Sequence, residues 1–288
     1  MILRMTTTLF MLAIFVLGMN QDVWSQKLNT PMPSPKSTLT QVVGVTDVTI
    51  TYHRPGVKGR EIFGGLVPYG KLWRTGANSS TTIKVSDTVM FEGKKVAAGE
   101  YALFTIPEKN DWTIVLSKSV GWGTGNYKEE EDVARFKVKS HALAEKVERF
   151  TIEIADMTDN SAQIVLKWDN TAASFKMTCD TDSKVMHQIE EVMKNPPADD
   201  AGVYSQAATY YFEHGKDLKK ALSWADKAVE LNPDAFWAIR LKSRIQAQMG
   251  DYKKAIETAK LSLEKAKKAD NAQYVKFNEE AIAEWSKK

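Results

Sequence analysis

The chain has 288 residues, 43% of them hydrophobic, so it is long enough to bury the cores of two domains. Its formal net charge of +3 is too small to predict a nucleic acid as partner. The single cysteine, Cys179, excludes an internal disulfide, so packing alone must hold each domain together. We expect Cys179 to be a small residue at a strand end or domain junction rather than a nucleophile or an intermolecular bridge.

The first 25 residues have the pattern of a signal peptide. Arg4 precedes the apolar run Leu9 to Leu17, and Val23 and Ser25 occupy the −3 and −1 positions of a small-residue cleavage site. Polar residues then make the run too short for a membrane-spanning helix, so a retained anchor is the less favoured alternative. We expect an exported protein, periplasmic or extracellular in a Gram-negative bacterium, with no stable membrane span after cleavage. Residues 26–37 are proline-rich and predict an extended leader.

Residues 38–178 predict a β domain. Nine segments rich in Val, Ile, Thr, Phe and Tyr alternate or run apolar, with turn residues between them: TLTQVVG, VTITYH, TTIKVS, TVMFEG, EYALFTI, WTIVLS, RFKVK, ERFTIEI and AQIVLKW. Short strands with no helical pattern between them are typical of an antiparallel sandwich or barrel.

The segment from His53 to Asn78 contains the candidate binding site. It has six glycines and one acid, Glu61, together with five cations that we call the basic cluster: Arg54, Lys58, Arg60, Lys71 and Arg74. Cations, free backbone N–H groups and aromatic faces together are typical of anion-binding or sugar-binding sites. We predict that these residues bind a ligand: Arg54, Lys58, Arg60, Trp73, Arg74 and Asn78. In the structural alternative, Trp73 lies in the core and the arginines pair with Glu or Asp.

The same segment resembles the bacterial family known as domain of unknown function 2911. The resemblance extends from about Pro33 to Phe175 and rests on YHRPGVKGREIFGGLVPYGKLWRTGANSSTTI, AAGEYALFTIP, WTIVLSK, WGTGNY and DVARFKVK. It implies an exported β domain, sometimes joined to helical repeats, and no reaction. The chain departs from the family pattern at two places. Ser79-Ser80 stands where Glu-Ala is common, so an acidic group is missing, and His53 stands where a small residue is usual.

A second candidate is the glycine-rich loop from Gly121 to Tyr127, in which Trp122 offers another stacking surface, as a lid over a pocket would. Four acids, Glu129 to Asp132, follow it directly. We expect these acids to form a solvated turn, although they are also candidates for neutralising the basic cluster.

Patterns typical of catalytic or metal sites are absent from the sequence. The four histidines are far apart, and neither a Gly-x-Ser-x-Gly motif nor a phosphate-binding Gly-Lys-Ser/Thr motif occurs. We therefore predict no catalytic residue, no metal and no cofactor, and favour a non-enzymatic protein. The alternative is a hydrolase acting on polysaccharide or peptide, which would need paired carboxylates or a Ser–His pair in one cleft.

Residues 183–288 predict a helical domain. LKKALSWADKAVELNP and YKKAIETAKLSLEKAK align at an offset of 34 residues, which places Ala221 over Ala255 and Ala225 over Ala259. The pattern resembles tetratricopeptide repeats over residues 201–267, followed by a terminal helix from Asn271 to Trp285. It implies a scaffold that contacts another envelope protein. Aromatic residues are candidates for the partner groove, although at helical spacing they more often belong to the core: Trp224, Phe236, Trp237, Tyr252, Tyr274 and Phe277.

Overall fold

The structure is a computed structural model that describes residues 30–288. The predicted signal peptide, residues 1–25, lies outside the described residues, as do residues 26–29 of the predicted leader. The predicted fold class is confirmed: an antiparallel β domain is followed by an α-helical array.

The β domain contains nine strands within the described residues. They are β1 (Lys36–Val43), β2 (Thr46–His53), β3 (Thr81–Val85), β4 (Val89–Phe91), β5 (Lys94–Val96), β6 (Gly99–Pro107), β7 (Asp111–Ser117), β8 (Asp132–Ala155) and β9 (Ser161–Cys179). In β2, buried Val48, Ile50 and Tyr52 alternate with more exposed threonines, the period of a strand that has one face on a core.

The strands form one sheet in the order β1-β2-β3-β6-β7-β8-β9-β4-β5, and all the pairs are antiparallel. Strands β1 and β5 are its two ends, so the sheet is not closed into a barrel. Strand β8 belongs to both halves of the sheet, because its first residues pair with β7 and those from Ser140 onward pair with β9.

The two halves of the sheet share one hydrophobic core. Side chains from β2, β3, β6 and β7 pack with side chains from β4, β8 and β9, including Ile50, Ile83, Trp112, Phe91, Phe150, Trp168 and Phe175. The outer face of β6 and β7 has a smaller core, where Phe104 and Val115 are covered by Leu72 and Tyr127. Leu72 and Tyr127 therefore fix both candidate loops against the sheet.

The helical array begins directly after the sheet. Its helices are α1 (Thr181–Val192), α2 (Ala201–Glu213), α3 (Leu218–Leu231), α4 (Phe236–Gln248), α5 (Tyr252–Lys268) and α6 (Ala272–Trp285). Asp or Asn side chains cap all of these helices except α4 at the N-terminus, accepting hydrogen bonds from backbone N–H groups. The repeated alanines at 221, 225, 255 and 259 are all fully buried, which lets consecutive helices approach closely.

Helix α1 is tied to the β domain by polar contacts. Lys184 Nζ lies 2.6 Å from Asp87 Oδ2 and 3.3 Å from Thr46 Oγ1. Thr181 Oγ1 donates to the Asp159 carbonyl over 2.5 Å. Cys179 is the last residue of β9 and is buried, with its thiol 3.3 Å from the Val43 carbonyl oxygen. Among the described residues, none of the helices is long and apolar enough to cross a membrane.

Candidate functional site

The segment after β2 is held along strand β8 by its backbone. Val57 N–H donates to the Glu148 carbonyl, and Phe150 N–H donates to the Pro55 carbonyl. The Arg54 guanidinium continues this attachment, since its Nε donates to Phe150 O over 3.1 Å and its Nη2 to Thr151 Oγ1 over 2.8 Å. Arg54 therefore positions the loop on β8.

Arg60 lies against its own turn. Its Nε donates to Val57 O over 3.1 Å and its Nη2 to Gly56 O over 2.6 Å. A guanidinium has five N–H groups, so Arg60 keeps donors available for a ligand. Lys58 is exposed and has a φ of 49°, and its backbone N–H donates to Glu148 Oε1 over 2.9 Å.

Trp73 is half-buried in an aromatic cluster. Its ring stacks on Trp168 at a centroid distance of 5.7 Å and an interplanar angle of 16°, and meets Phe150 edge-on at 5.1 Å. Its indole N–H donates to Gly76 O over 3.0 Å, and its backbone pairs with Thr105. Trp73 thus belongs to the core while one part of it still lines a surface hollow.

The chain from Arg74 to Ser79, which we call the strained segment, has an uncommon backbone conformation. Thr75, Gly76 and Asn78 have φ values of 54°, 152° and 60°, and for a β-branched residue such as Thr75 this is a genuine outlier. Thr75 is fully buried, its hydroxyl donates to Thr105 Oγ1, and its carbonyl accepts from Thr81 Oγ1 over 2.5 Å. Strained backbone of this kind is concentrated at functional sites.

This conformation leaves a row of donors unused. Within residues 30–288, the six backbone N–H groups from Arg74 to Ser79 donate to no carbonyl and no side chain. More than nine in ten buried backbone N–H groups in proteins are paired, so an unpaired row that includes fully buried Thr75 is exceptional. Successive free N–H groups form a concave surface that attracts anions.

Within the described residues, the Arg74 side chain forms no hydrogen bond and no ion pair although it is half-buried. Its Nε is fully buried. Across residues 30–288, no member of the basic cluster forms an ion pair with Asp or Glu within 4.0 Å. The arginine–carboxylate pairing of the structural alternative is therefore not what the described residues contain.

Arg60, Trp73 and Arg74 come together in one hollow of about 280 Å³, which we call the arginine hollow. Its wall is completed by Ser34, Pro55, Leu66, Val67, Gly76, Ala77 and Trp168. Trp168 is only 1% exposed, and its indole N–H has no partner among residues 30–288. Of the other predicted ligand residues, Arg54, Lys58, Asn78 and Trp122 do not line this hollow.

The glycine-rich loop lies beside the arginine hollow but outside it. Ser80 and Gly121 exchange hydrogen bonds, and Gly123 N–H donates to the Asn78 carbonyl over 3.2 Å. These bonds place the loop next to the strained segment, while the Trp122 side chain remains 72% exposed.

Three of the four acids after this loop, Glu129, Glu131 and Asp132, contact their own neighbours. Asp132 pairs with Arg135 at 2.7 Å, and Glu131 accepts from Ser119 Oγ at 2.7 Å. Tyr127 donates to Asp132 Oδ2 over 3.0 Å, and burial together with this carboxylate raises the pKa of Tyr127 to about 12. The acids therefore brace the loop and leave the basic cluster without counter-ions from this segment.

His53 lies at the end of β2, buried against the strained segment. Its Nδ1 is 3.5 Å from Ser79 Oγ. Burial, and secondly the nearby Lys36 ammonium, lower the pKa of His53. This is a serine–histidine contact, but neither residue lines the arginine hollow.

The lining of the arginine hollow contains donors and apolar groups and no Asp or Glu. Such a wall can bind an anion, whereas the paired carboxylates of a glycoside hydrolase are not part of it. Within the described residues, His, Cys, Asp and Glu form no group of three that could hold a metal ion. Sequence reasoning missed Trp168 and Ser34, because only the folding of the sheet brings them next to Arg74.

Comparison with known proteins gives a family but no curated relative. A family model described as "Protein of unknown function (DUF2911)" matches residues 34–177, which is half of the chain. No curated protein matches the chain. Among solved structures, the chain is similar to one titled "TPR2B-domain:pHsp70-complex of yeast Sti1", with 22% identity and a TM-score of 0.33 over 36% of this chain and 82% of that one.

Proposed function

Because this chain belongs to the DUF2911 family of proteins of unknown function, we propose a function from its own residues: it is an exported, non-enzymatic binding and scaffold protein. Its β domain binds an anionic or glycan-like ligand in the arginine hollow, and its helical repeats contact another envelope protein.

The observation that carries the binding proposal is the unpaired Arg74 guanidinium. A half-buried charge without a counter-ion is unfavourable, and so are buried N–H groups without acceptors, such as those of Thr75 and Gly76 within the described residues. Arg74 and Gly76 line the same hollow as Arg60, so one anion would satisfy both kinds of donor at once. In this arrangement the guanidinium groups pair with acidic oxygens, and the backbone of Arg74, Gly76 and Ala77 adds N–H donors.

Thermal melts of the full chain with a panel of anions and acidic sugars test the binding proposal. A ligand at about 100 times its Kd should raise the Tm of the β domain by about 5–10 °C. Arg74→Ala and Arg60→Ala should abolish this rise, whereas Lys71→Ala, which removes an exposed cation that does not line the hollow, should preserve it. Absence of a shift with every ligand would contradict the proposal.

The scaffold proposal is supported by apolar surface on the helices. A groove of about 280 Å³ between α1 and α2 is lined mainly by apolar side chains, among them Val185, Ile189, Val192, Met193 and Val203. Exposed apolar grooves between helices are typical binding sites for partner segments. We propose that the envelope partner occupies this groove.

Pull-down from an envelope extract with the full chain as bait tests the scaffold proposal. Val192→Asp places a charge in the groove and should release the captured protein. Leu261→Asp is the matched control, because Leu261 is 43% exposed on α5 and lies outside the groove. Equal capture by both variants, or none by wild type, would refute this part of the proposal.

Export is proposed from the N-terminal pattern of a charged residue, an apolar run and a small-residue cleavage site. N-terminal sequencing of the protein recovered from the periplasm of a Gram-negative host should begin at Gln26. Recovery of the uncleaved chain from the cytoplasm would contradict export.

A further inference from the structure

The proposed function leaves open whether the arginine hollow takes a sugar, an inorganic anion or an organic anion. The balance of hydrogen-bond donors and acceptors in the lining of the hollow distinguishes between these ligands. Donors are supplied by the guanidinium groups of Arg60 and Arg74 and by the N–H groups of Gly76 and Ala77, which have no partner within residues 30–288. Among the lining side chains, only the Ser34 hydroxyl can accept a hydrogen bond.

Many backbone carbonyls around the hollow are already used as acceptors within the fold. Five of the lining residues already use their carbonyl oxygens in hydrogen bonds within the fold: Pro55, Val67, Trp73, Arg74 and Gly76. A neutral sugar presents hydroxyls that donate as well as accept, and a buried donor without an acceptor costs free energy. The hollow therefore favours a group that only accepts, which is an ionised acid.

The remaining wall is apolar. The apolar groups of the lining are Pro55, Leu66, Val67 and Ala77, together with the indole rings of Trp73 and Trp168. A free phosphate or sulfate would leave this surface in contact with water, whereas an organic anion with a hydrocarbon body would cover it. The volume of about 280 Å³ is sufficient for one ring, since a cavity of about 150 Å³ holds benzene.

Resting on the proposed function, we infer that the arginine hollow binds a small organic carboxylate with an apolar body about the size of one ring. The carboxylate accepts from Arg74 and Arg60, and the planar guanidinium fork suits its two oxygens. The hydrocarbon body lies against Leu66, Val67 and Pro55.

Calorimetric titration of the full chain with benzoate tests this inference. We expect one saturable site. Benzamide, which has the same shape but no charge and adds donors, should bind at least about 10-fold more weakly, because hydrogen bonds to charged groups are roughly twice as strong as neutral ones. Inorganic phosphate and N-acetylglucosamine should also bind more weakly than benzoate, since each fits only one part of the wall.

Variants assign the binding to the hollow. Arg74→Gln and Arg60→Gln should weaken benzoate binding by about 10- to 100-fold, the range of a charge-assisted hydrogen bond. Arg74→Lys retains the positive charge but not the planar guanidinium. Its affinity for benzoate should lie between those of Arg74→Gln and wild type. Lys71→Gln is the matched control and should bind benzoate as wild type does. Leu66→Ser should weaken benzoate binding while leaving the weaker binding of phosphate unchanged, because Leu66 faces only the hydrocarbon body.

The outcomes separate this inference from the proposed function. Binding of phosphate or of an acidic sugar such as galacturonate that depends on Arg74, without binding of benzoate, would overturn the apolar carboxylate and leave the proposed function standing. Failure of every anion and sugar would overturn both. Equal binding of benzoate to wild type and to Arg74→Gln, with unliganded melts showing both folded, would remove the site from the arginine hollow.

Discussion

At the scale of single residues, one polar contact joins the end of β2 to the strained segment. The His53 Nδ1 atom lies 3.5 Å from Ser79 Oγ. Neither His53 nor Ser79 lines the arginine hollow.

His53 should make stability depend on pH. Its pKa is lowered from 6.5 by burial and, to a lesser extent, by Lys36, its cross-strand neighbour. As the pH falls below about 6.5, the unfolded chain takes up a proton that the folded chain refuses, so the free energy of unfolding decreases. Urea titrations between pH 7 and pH 5 should show this decrease for wild type.

The comparison with a histidine variant isolates this effect. His53→Asn should flatten the dependence of the unfolding free energy on pH, whereas His141→Asn, at an exposed position of β8, should not. If the unfolding free energy depends on pH identically in wild type and His53→Asn, His53 does not contribute to the pH dependence.

We expect Asn78 to stabilise the fold through its backbone conformation rather than through its side-chain amide. With φ at 60°, position 78 favours Gly or Asn, and a side chain without local hydrogen bonding costs about 1–2 kcal/mol there. Asn78→Ala should lower the unfolding free energy by about 1 kcal/mol, while Asn78→Gly should stay within about 0.5 kcal/mol of wild type. Chemical denaturation without ligand measures both, and a larger loss for Asn78→Gly would indicate that the amide itself stabilises the fold.

At the scale of elements, strand β8 shows where sequence reasoning succeeds and where it stops. RFKVK and ERFTIEI were predicted as two strands, because the polar and helix-favouring residues between them interrupt the alternation. In the structure they are the two ends of one strand of 24 residues, with irregular register around Val147. Pairing with β9 on both sides keeps residues 140–147 extended, although their own preference for a strand is weak.

The short strand β5 was missed for a related reason, since three residues give too little alternation to recognise. The helical repeat was predictable because its 34-residue spacing is a local pattern of the sequence. The arginine hollow was predictable in part. Arg60, Trp73 and Arg74 are close in sequence, whereas Trp168 reaches the hollow only through the pairing of β8 with β9.

The turn between β1 and β2 is the element on which helix α1 depends. Gly44 has a φ of 60°, and a Cβ at this position would collide with Thr181 Oγ1 and with the Asp159 carbonyl oxygen. Gly44→Ala should therefore combine backbone strain with overpacking and lower the unfolding free energy by about 2–5 kcal/mol. Thermal or chemical denaturation measures this loss.

Gly93 offers the matched control for this substitution. It also has a positive φ, 75°, but a Cβ there would meet no atom within 4 Å. Gly93→Ala should cost only the backbone term of about 1–2 kcal/mol. Equal losses for the two variants would mean that the junction yields to the extra methyl group without cost.

At the scale of the whole molecule, the two parts have separate hydrophobic cores. The core of the β domain contains residues from Val43 to Cys179, and the cores of the helices contain residues beyond Cys179. The contacts that join the two parts are mainly polar, such as the pair between Lys184 and Asp87. Partly exposed pairs of this kind contribute little to stability, so each part should unfold largely on its own.

Calorimetry of the full chain should therefore resolve two unfolding transitions. A ligand of the arginine hollow should raise the temperature of only one of them, because it binds only the folded β domain. A single transition that moves as a whole with ligand would show that the polar junction couples the two parts strongly.

The pairing of β9 with β4 has a consequence for biosynthesis. Cys179 aligns with Val89, so the outer strands β4 and β5 can join the sheet only after the chain has been made as far as the start of α1. Contacts so distant in sequence form slowly, whereas the helices that follow close through near neighbours. During synthesis, the incomplete sheet therefore keeps unpaired strand edges until β9 arrives, and residues 161–179 are the segment on which its completion waits.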